Sequence, residues 1–497
     1  MIEVWMDAII FAFSFLNLFL VIMGVTIGIV FGALPGLGPT LAVALMLPVT
    51  FGFEPASALI FLAGVYAGAI YGGSITAILL NAPGTPGSGA TTFDGYPLAR
   101  QGKAGLALGL SVTSSMFGGV FGVIMLIILS SLLAKFSIYF GSAETFMLAL
   151  FGISIIAVVA KASLRKGLIA GGMGLIFSFI GQDLMTGQFR FTFDLMALSE
   201  GIPFVIGLVG LFAFSEGIRL AEEKGSVSKT GKITSSVMDG VKMTFKYPKT
   251  VIKSSIIGTF IGALPGAGLS AANFISYGEA KRKAKDPDSF GEGNPEGVIA
   301  AEASNNAVMG GSLVPTLVLG IPGNSTTAVF LSAIMLHGLR PGFDLFTTNV
   351  DVTYSLFVGL ILSSLVFFIL GFSFTKLFAK VTIIKNKYLI PIIFILCIVG
   401  AIALRNRFTD VYLLLIFGLV GYFLKKYGFP VVGVVLGMIL GSIAERGFQQ
   451  TMMIYGYSGF FTRPVSLGIF LIIVLTMSMQ FLKPYLQKVF GKKSHEN

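Results

Sequence analysis

Apolar runs long enough to cross a bilayer follow one another along almost the whole chain, and that pattern admits few folds. A helix crossing hydrocarbon needs about 20 predominantly apolar residues. Candidate runs lie at 8–31, 56–80, 105–133, 143–160, 166–181, 201–220, 250–266, 298–320, 352–378, 387–404, 409–424, 429–444 and 465–482. Shorter apolar pieces lie at 38–50, 268–280 and 322–336. Only 11% of residues are charged and 55% are hydrophobic, with a mean hydropathy of +0.89. A soluble domain carries about 25% charged residues, and no stretch of that size remains once the runs are removed. The expected fold is an all-α polytopic membrane protein of about 12 transmembrane helices. The first run is acidic at Glu3 and Asp7 and lacks a small-residue cleavage site, so it reads as a first span and not a removable signal peptide.

The formal charge of +11 invites a nucleic-acid reading, which its distribution rejects. Lys and Arg sit in short loops between the runs, as the positive-inside rule expects. The single Cys, Cys397, lies in an apolar run, and the two histidines, His337 and His495, make no transition-metal site. No Gly-x-x-x-x-Gly-Lys-Ser/Thr loop is present, so ATP hydrolysis is not expected. Neither His-Glu-x-x-His nor Gly-x-Ser-x-Gly occurs, so the chain does not read as an enzyme, and no cofactor is expected. An Arg-rich voltage-sensing helix and a Thr-Val-Gly-Tyr-Gly filter are missing as well. The 63 glycines fit close helix packing, since lipid offers helices no hydrophobic drive to associate.

The polar stretch 221–253, with Lys224, Lys229, Lys232, Lys242, Lys246, Lys249 and Lys253, reads as a cytoplasmic linker. It divides the chain into a first membrane repeat (1–220), a linker (221–250) and a second repeat with C-terminal helices and a short tail (251–497). Counting spans outward, Lys161, Arg165, Lys166, Arg100 and Lys103 fall inside, as do Lys376, Lys380, Lys425 and Lys426. Lys135 and Arg340 fall on the wrong side. On this map the first repeat enters from outside and the second from inside, which makes them inverted.

The repeats share motifs. Gly32-Ala33-Leu34-Pro35-Gly36-Leu37-Gly38 returns about 230 residues later as Gly262-Ala263-Leu264-Pro265-Gly266-Ala267-Gly268. Gly72-Gly73-Ser74 matches Gly310-Gly311-Ser312, and Ala82-Pro83-Gly84-Thr85 matches Ile321-Pro322-Gly323-Asn324. Each repeat therefore carries two Pro-Gly interruptions, read as broken or re-entrant helices. Irregular backbone at membrane depth is tolerated only where protein or a water-filled cavity covers it. A broken helix exposes N–H groups that suit a carboxylate and carbonyls that suit a cation. The candidate substrate residues are Asn81, Thr85, Ser88, Gly323, Asn324, Ser325, Thr326 and Thr327. The candidate cation residues are Gly32, Pro35, Gly36, Gly262, Pro265 and Gly266, with Asn305 and Asn306.

Glu302, Asn305 and Asn306 share one helix face at i, i+3 and i+4. An ionisable residue within the membrane is a functional candidate by default, so Glu302 reads as a proton relay or as a structural residue, including a solvated helix start. Asp94-Gly95-Tyr96-Pro97 reads as a loop turn.

The run Tyr71-Gly72-Gly73-Ser74-Ile75-Thr76-Ala77-Ile78-Leu79-Leu80-Asn81-Ala82-Pro83-Gly84-Thr85-Pro86, continuing to Asp94-Gly95-Tyr96-Pro97-Leu98-Ala99-Arg100, resembles the signature of the large membrane subunit of tripartite tricarboxylate transporters (TctA-like). So do Glu302-Ala303-Ser304-Asn305-Asn306-Ala307 and Gly320-Ile321-Pro322-Gly323-Asn324-Ser325-Thr326-Thr327-Ala328. The resemblance covers essentially the full length. It implies a secondary carrier in the bacterial cytoplasmic (inner) membrane that imports citrate-like or other carboxylates with a cation gradient, Na⁺ being the expected ion. It also implies two partners, a small membrane subunit and an extracytoplasmic solute-binding protein. Gly87-Ser88-Gly89 and Asn324 depart from the family's usual residues and bear on substrate or ion choice. The alternatives are a proton-coupled carrier using Glu302, and a channel.

Overall fold

The computed structural model describes residues 2–34, 37–134, 141–159, 164–183, 186–222, 235–264, 268–381, 386–475 and 478. Pro35, Gly36, Pro265 and Gly266 lie outside these residues, as do Lys135, Lys161, the linker lysines Lys224, Lys229 and Lys232, and His495. In chain order the helices are α1 (Ile2–Ala12), α2 (Phe15–Gly32), α3 (Gly38–Met46), α4 (Pro55–Leu80), α5 (Thr91–Arg100), α6 (Ala104–Ala134), α7 (Ser142–Val159) and α8 (Leu164–Ser178). A two-residue hairpin, β1 (Gly181–Gln182) and β2 (Phe189–Arg190), precedes α9 (Phe204–Val209) and α10 (Ser215–Glu222), which a π-helical turn at Gly210–Phe214 joins. Then follow α11 (Val237–Thr244), α12 (Pro248–Ala263), α13 (Gly268–Lys283), α14 (Pro295–Leu319), α15 (Ser325–Leu336), α16 (Phe343–Thr347), α17 (Val350–Ser373), α18 (Thr375–Val381), α19 (Asn386–Arg405), α20 (Phe408–Lys426), α21 (Val431–Tyr455) and α22 (Gly459–Thr462). Among the described residues eight helices are long and apolar enough to cross a membrane. The chain is an all-α, multi-pass membrane protein.

Two compact units divide it, and each is built from two separate stretches: Met1–Lys135 with Leu208–Tyr422, and Phe136–Gly207 with Phe423–Asn497. The larger unit is organised around α4 and α14. Residues 56–79 of α4 and 297–318 of α14 are buried on every face, as expected of helices wrapped wholly by protein. Glycine sets how closely their neighbours approach. A Cβ on Gly24, Gly28 or Gly32 of α2 would lie within 2.4 Å of the carbonyls of Phe61, Val65 and Ala69 on α4. A Cβ on Gly258 of α12 would lie 2.3 Å from the Ser304 carbonyl of α14, and one on Gly118 of α6 would lie 2.1 Å from that of Ala303. Helix α6 follows the first pair of breaks yet packs on α14, while α17 follows the second pair and packs on α4.

In the smaller unit α21 packs against α7 and α8. Gly174 of α8 and Gly437 of α21 allow backbone contact there. Buried Glu144 pairs with Arg463 at 2.6 Å. Arg190, held by Glu445 at 2.5 Å and Asp183 at 3.2 Å, helps line a cavity of about 470 Å³ with Arg446 and Gln450.

Two sequence expectations are corrected. The run 8–31 is not one helix: it breaks at Ser14, whose hydroxyl accepts from the Asn17 N–H, while the buried Asn17 amide donates to Phe11 O at 2.9 Å. Local polar bonds thus outcompete the continuing helix. Asp94-Gly95-Tyr96-Pro97 is no loop turn and lies inside α5. Asp94 is fully buried there, and its Oδ1 accepts from the N–H groups of Gly291 (2.8 Å), Gly293 (2.9 Å) and Asn294 (2.7 Å). That distant turn gives the carboxylate the donors a loop would otherwise have supplied.

Candidate functional site

The two helices at the core end in the same way. Asn81 closes α4 in the left-handed conformation (φ 55°, ψ 26°), with its N–H bound to Thr76 O. Gly320 closes α14 likewise (φ 67°, ψ 20°), with its N–H bound to Pro315 O. Pro-Gly follows in both places. Gly84 N–H donates to Gly73 O at 3.1 Å, and Gly323 N–H to the Thr316 hydroxyl at 3.3 Å. A Cβ on Gly84 would lie 2.2 Å from Gly32 O, and one on Gly323 2.8 Å from Ser312, so only glycine fits either bend.

Matching capping boxes come next. Thr85 N–H donates to Ser88 Oγ at 3.3 Å, and Ser88 Oγ donates to Thr85 O at 2.9 Å. Asn324 Oδ1 accepts from the N–H groups of Thr326 (2.9 Å) and Thr327 (3.0 Å), while Thr327 Oγ1 accepts from Asn324 N–H at 2.9 Å. Four of the residues proposed for substrate therefore spend their side chains on the breaks. Asn81 is exposed. Ser325 and Thr326 do something else: the Thr40 hydroxyl of α3 lies 3.2 Å from Ser325 Oγ and 2.9 Å from Thr326 Oγ1. The N-terminal turns of α3 and α15 thus meet through three hydroxyls. Asn324 also donates through Nδ2 to the Tyr66 hydroxyl at 3.1 Å.

Glu302 lies two turns into α14 and is fully buried, so it is not a solvated helix start. Its Oε2 accepts from Ser74 Oγ of α4 at 2.7 Å and from Ser115 Oγ of α6 at 2.9 Å, and its Oε1 accepts from the Thr91 hydroxyl of α5. Among the described residues no Lys, Arg or His pairs with it. A buried carboxylate without a counter-charge is expensive. One turn on, Asn305 and Asn306 are 0% and 2% exposed, and none of their four amide atoms has a hydrogen-bond partner. The Asn306 Cβ faces Gly119 of α6. Oxygen donors of this kind, a carboxylate with neutral amides, match a hard cation.

Gly32 and Gly262 are where the sequence put them, at the ends of α2 and α12, and both are buried against the carbonyls of the helix they cross. Asn273 on α13 and Ser304 on α14 are likewise fully buried with side-chain atoms that have no partner among the described residues. Sequence reading passed over Thr40 and Asn273, although each is a polar residue inside a short apolar piece, and that was the available signal.

The chain matches the profile of the Tripartite tricarboxylate transporter TctA family over residues 18–436. It is 35% identical over 436 residues to an Agrobacterium vitis protein described as "Uncharacterized 52.8 kDa protein in TAR-I ttuC' 3'region", covering 87% of this chain and 86% of that one. A second Agrobacterium vitis protein, "Uncharacterized protein in TAR-II ttuC' 3'region", is 31% identical over 238 residues, covering 47% of this chain and 98% of that one. No solved structure matches. The chain belongs to the tripartite tricarboxylate transporter TctA family.

Proposed function

We propose that this protein is the large membrane subunit of a secondary carrier that imports an organic di- or tricarboxylate together with Na⁺. It would sit in the bacterial inner membrane, beside a small membrane subunit, and receive substrate from an extracytoplasmic binding protein. The observation that carries the coupling is Glu302, a buried carboxylate with no cationic partner among the described residues, one turn from the amides of Asn305 and Asn306, which are unpartnered there too. A bound cation neutralises that charge and gives those oxygens a ligand; its loss leaves a site that is costly to keep closed. Substrate carboxylate belongs at the breaks Asn81–Ser88 and Gly323–Thr327, where the start of α15 meets that of α3. Helix N-termini favour anions there without a fixed positive charge in the membrane. The matched breaks, caps and exchanged packing of α6 and α17 support two inverted repeats that alternate access around this region.

A second reading, proton coupling through Glu302, has one observation in its favour: hydroxyls alone hold both carboxylate oxygens, and they serve a protonated acid as well as an ionised one. Uptake of a labelled carboxylate panel into proteoliposomes holding all three components tests the assignment. Saturable uptake that requires the binding protein is expected. Non-saturable flux without it would make the protein a channel.

A further inference from the structure

Helix α13 begins after the second Gly-Ala-Leu-Pro-Gly break and runs along α14 in the opposite direction. Tyr277 lies beside Gly297 and packs with Ala301, and Ser276 Oγ donates to Ala300 O at 2.9 Å. Asn273, Ser276, Tyr277 and Ala280 are spaced i, i+3, i+4 and i+7, so they share the face of α13 turned to α14. One turn back from Ser276 along α13 corresponds to one turn forward from Ala300 along α14. Asn273 is thereby placed beside the turn that carries Glu302 and Ser304. It is 0% exposed, and neither its Oδ1 nor its Nδ2 has a partner. Ser304 Oγ is equally buried and unpartnered. The neighbourhood agrees: Ala90 packs with Tyr277 and Ala301, and the next residue, Thr91, donates to Glu302.

Among the described residues, a third asparagine with both amide atoms unpartnered thus lies on α13, beside the turn of α14 that precedes Asn305 and Asn306. We infer that Asn273 supplies a third amide oxygen to the cation held by Glu302, Asn305 and Asn306, so that cation binding seats α13 against α14. This rests on reading that site as a cation site. Its consequence is mechanical: the ion bridges α14 and α13, two separate helices, which links ion occupancy to the position of α13. The Lys253–Glu279 ion pair already ties the far end of α13 to α12, leaving the break-proximal end for the ion to fix.

The test is equilibrium binding of radiolabelled Na⁺ to the full-length protein in detergent, for wild type, Asn273→Leu and Asn305→Ala. Leu fills the asparagine's space and removes two unpartnered polar atoms, so N273L is expected to fold without loss of stability in Na⁺-free buffer. Its Na⁺ affinity should fall at least about tenfold. If N273L fails to fold, N273A is read in the same way. Hydrogen exchange of residues 268–283 in the wild type gives a readout that needs no variant, and it should slow when Na⁺ is added. Wild-type Na⁺ affinity in N273L or N273A, with affinity lost in N305A, overturns the inference and spares the cation site. Stability lost equally with and without Na⁺ makes Asn273 structural and also overturns it. No Na⁺ binding by the wild type overturns the cation reading itself.

Discussion

Replacing Glu302 by Gln separates an ion site from a structural hub. The carboxylate accepts three hydroxyl bonds, from Ser74, Ser115 and Thr91. Hydrogen bonds to a charged group contribute about 1.5–3 kcal/mol each, and neutral ones about 0.5–1.5. The amide oxygen of Gln can keep Ser74 and Ser115, and the Thr91 hydroxyl can turn to accept from the new NH₂. Weakening three bonds by about 1 kcal/mol each gives a loss of about 3 kcal/mol. Against it stands the cost of burying an unpaired carboxylate, several kcal/mol per ion, which Gln removes. In Na⁺-free buffer E302Q is therefore expected to melt at or above the wild-type temperature. The wild type gains about 2.7 kcal/mol when Na⁺ stands at about 100 times its dissociation constant, and E302Q gains none. Thermal unfolding of both proteins with Na⁺, and with K⁺ at equal ionic strength, reads the difference. An E302Q protein that is less stable by about 3 kcal/mol without Na⁺, and still stabilised by Na⁺, would refute the reasoning and leave Glu302 as a packing group.

Three other outcomes follow from the same structure. Gly84→Ala places a methyl 2.2 Å from Gly32 O, a backbone atom that cannot give way, so uptake should be abolished and stability should fall by about 1–3 kcal/mol in thermal unfolding. Asp94→Ala leaves the N–H groups of Gly291, Gly293 and Asn294 without their acceptor, at about 1–3 kcal/mol for each that water does not reach. Faster hydrogen exchange across 287–295 should report it. In the smaller unit, Arg463→Ala strands the buried Glu144 carboxylate and should cost about 3–5 kcal/mol, measured by protease susceptibility, whereas the double variant with Glu144→Ala recovers part of that loss.

Much of this was legible from residue order, because breaks and burial are written locally. The Pro-Gly pairs, the glycine ridges and the polar face of Glu302, Asn305 and Asn306 follow from spacing alone. What joins them does not. That Ser74, Thr91 and Ser115 converge on Glu302 depends on contacts spanning about 190–230 residues, and Asp94 found its donors at a similar distance, which is why its turn signature misled. Hydropathy also undervalues α14. The run 298–320 reads as a candidate span, yet α14 with its Glu, Asn and Ser residues is not among the eight helices apolar enough to cross a membrane, and it is buried on every face from residue 297 to 318. The residues proposed for substrate lie at the breaks, where the side chains of Thr85, Ser88, Asn324 and Thr327 are engaged in capping boxes that only the backbone geometry reveals.

The most direct test of the coupling claim is carboxylate accumulation in proteoliposomes of the complete system under one imposed gradient at a time. An inward Na⁺ gradient at equal pH on both sides should drive uptake above equilibrium, and removing Na⁺ should abolish it. Accumulation driven by an inward H⁺ gradient in Na⁺-free medium would contradict the account and make Glu302 the proton carrier.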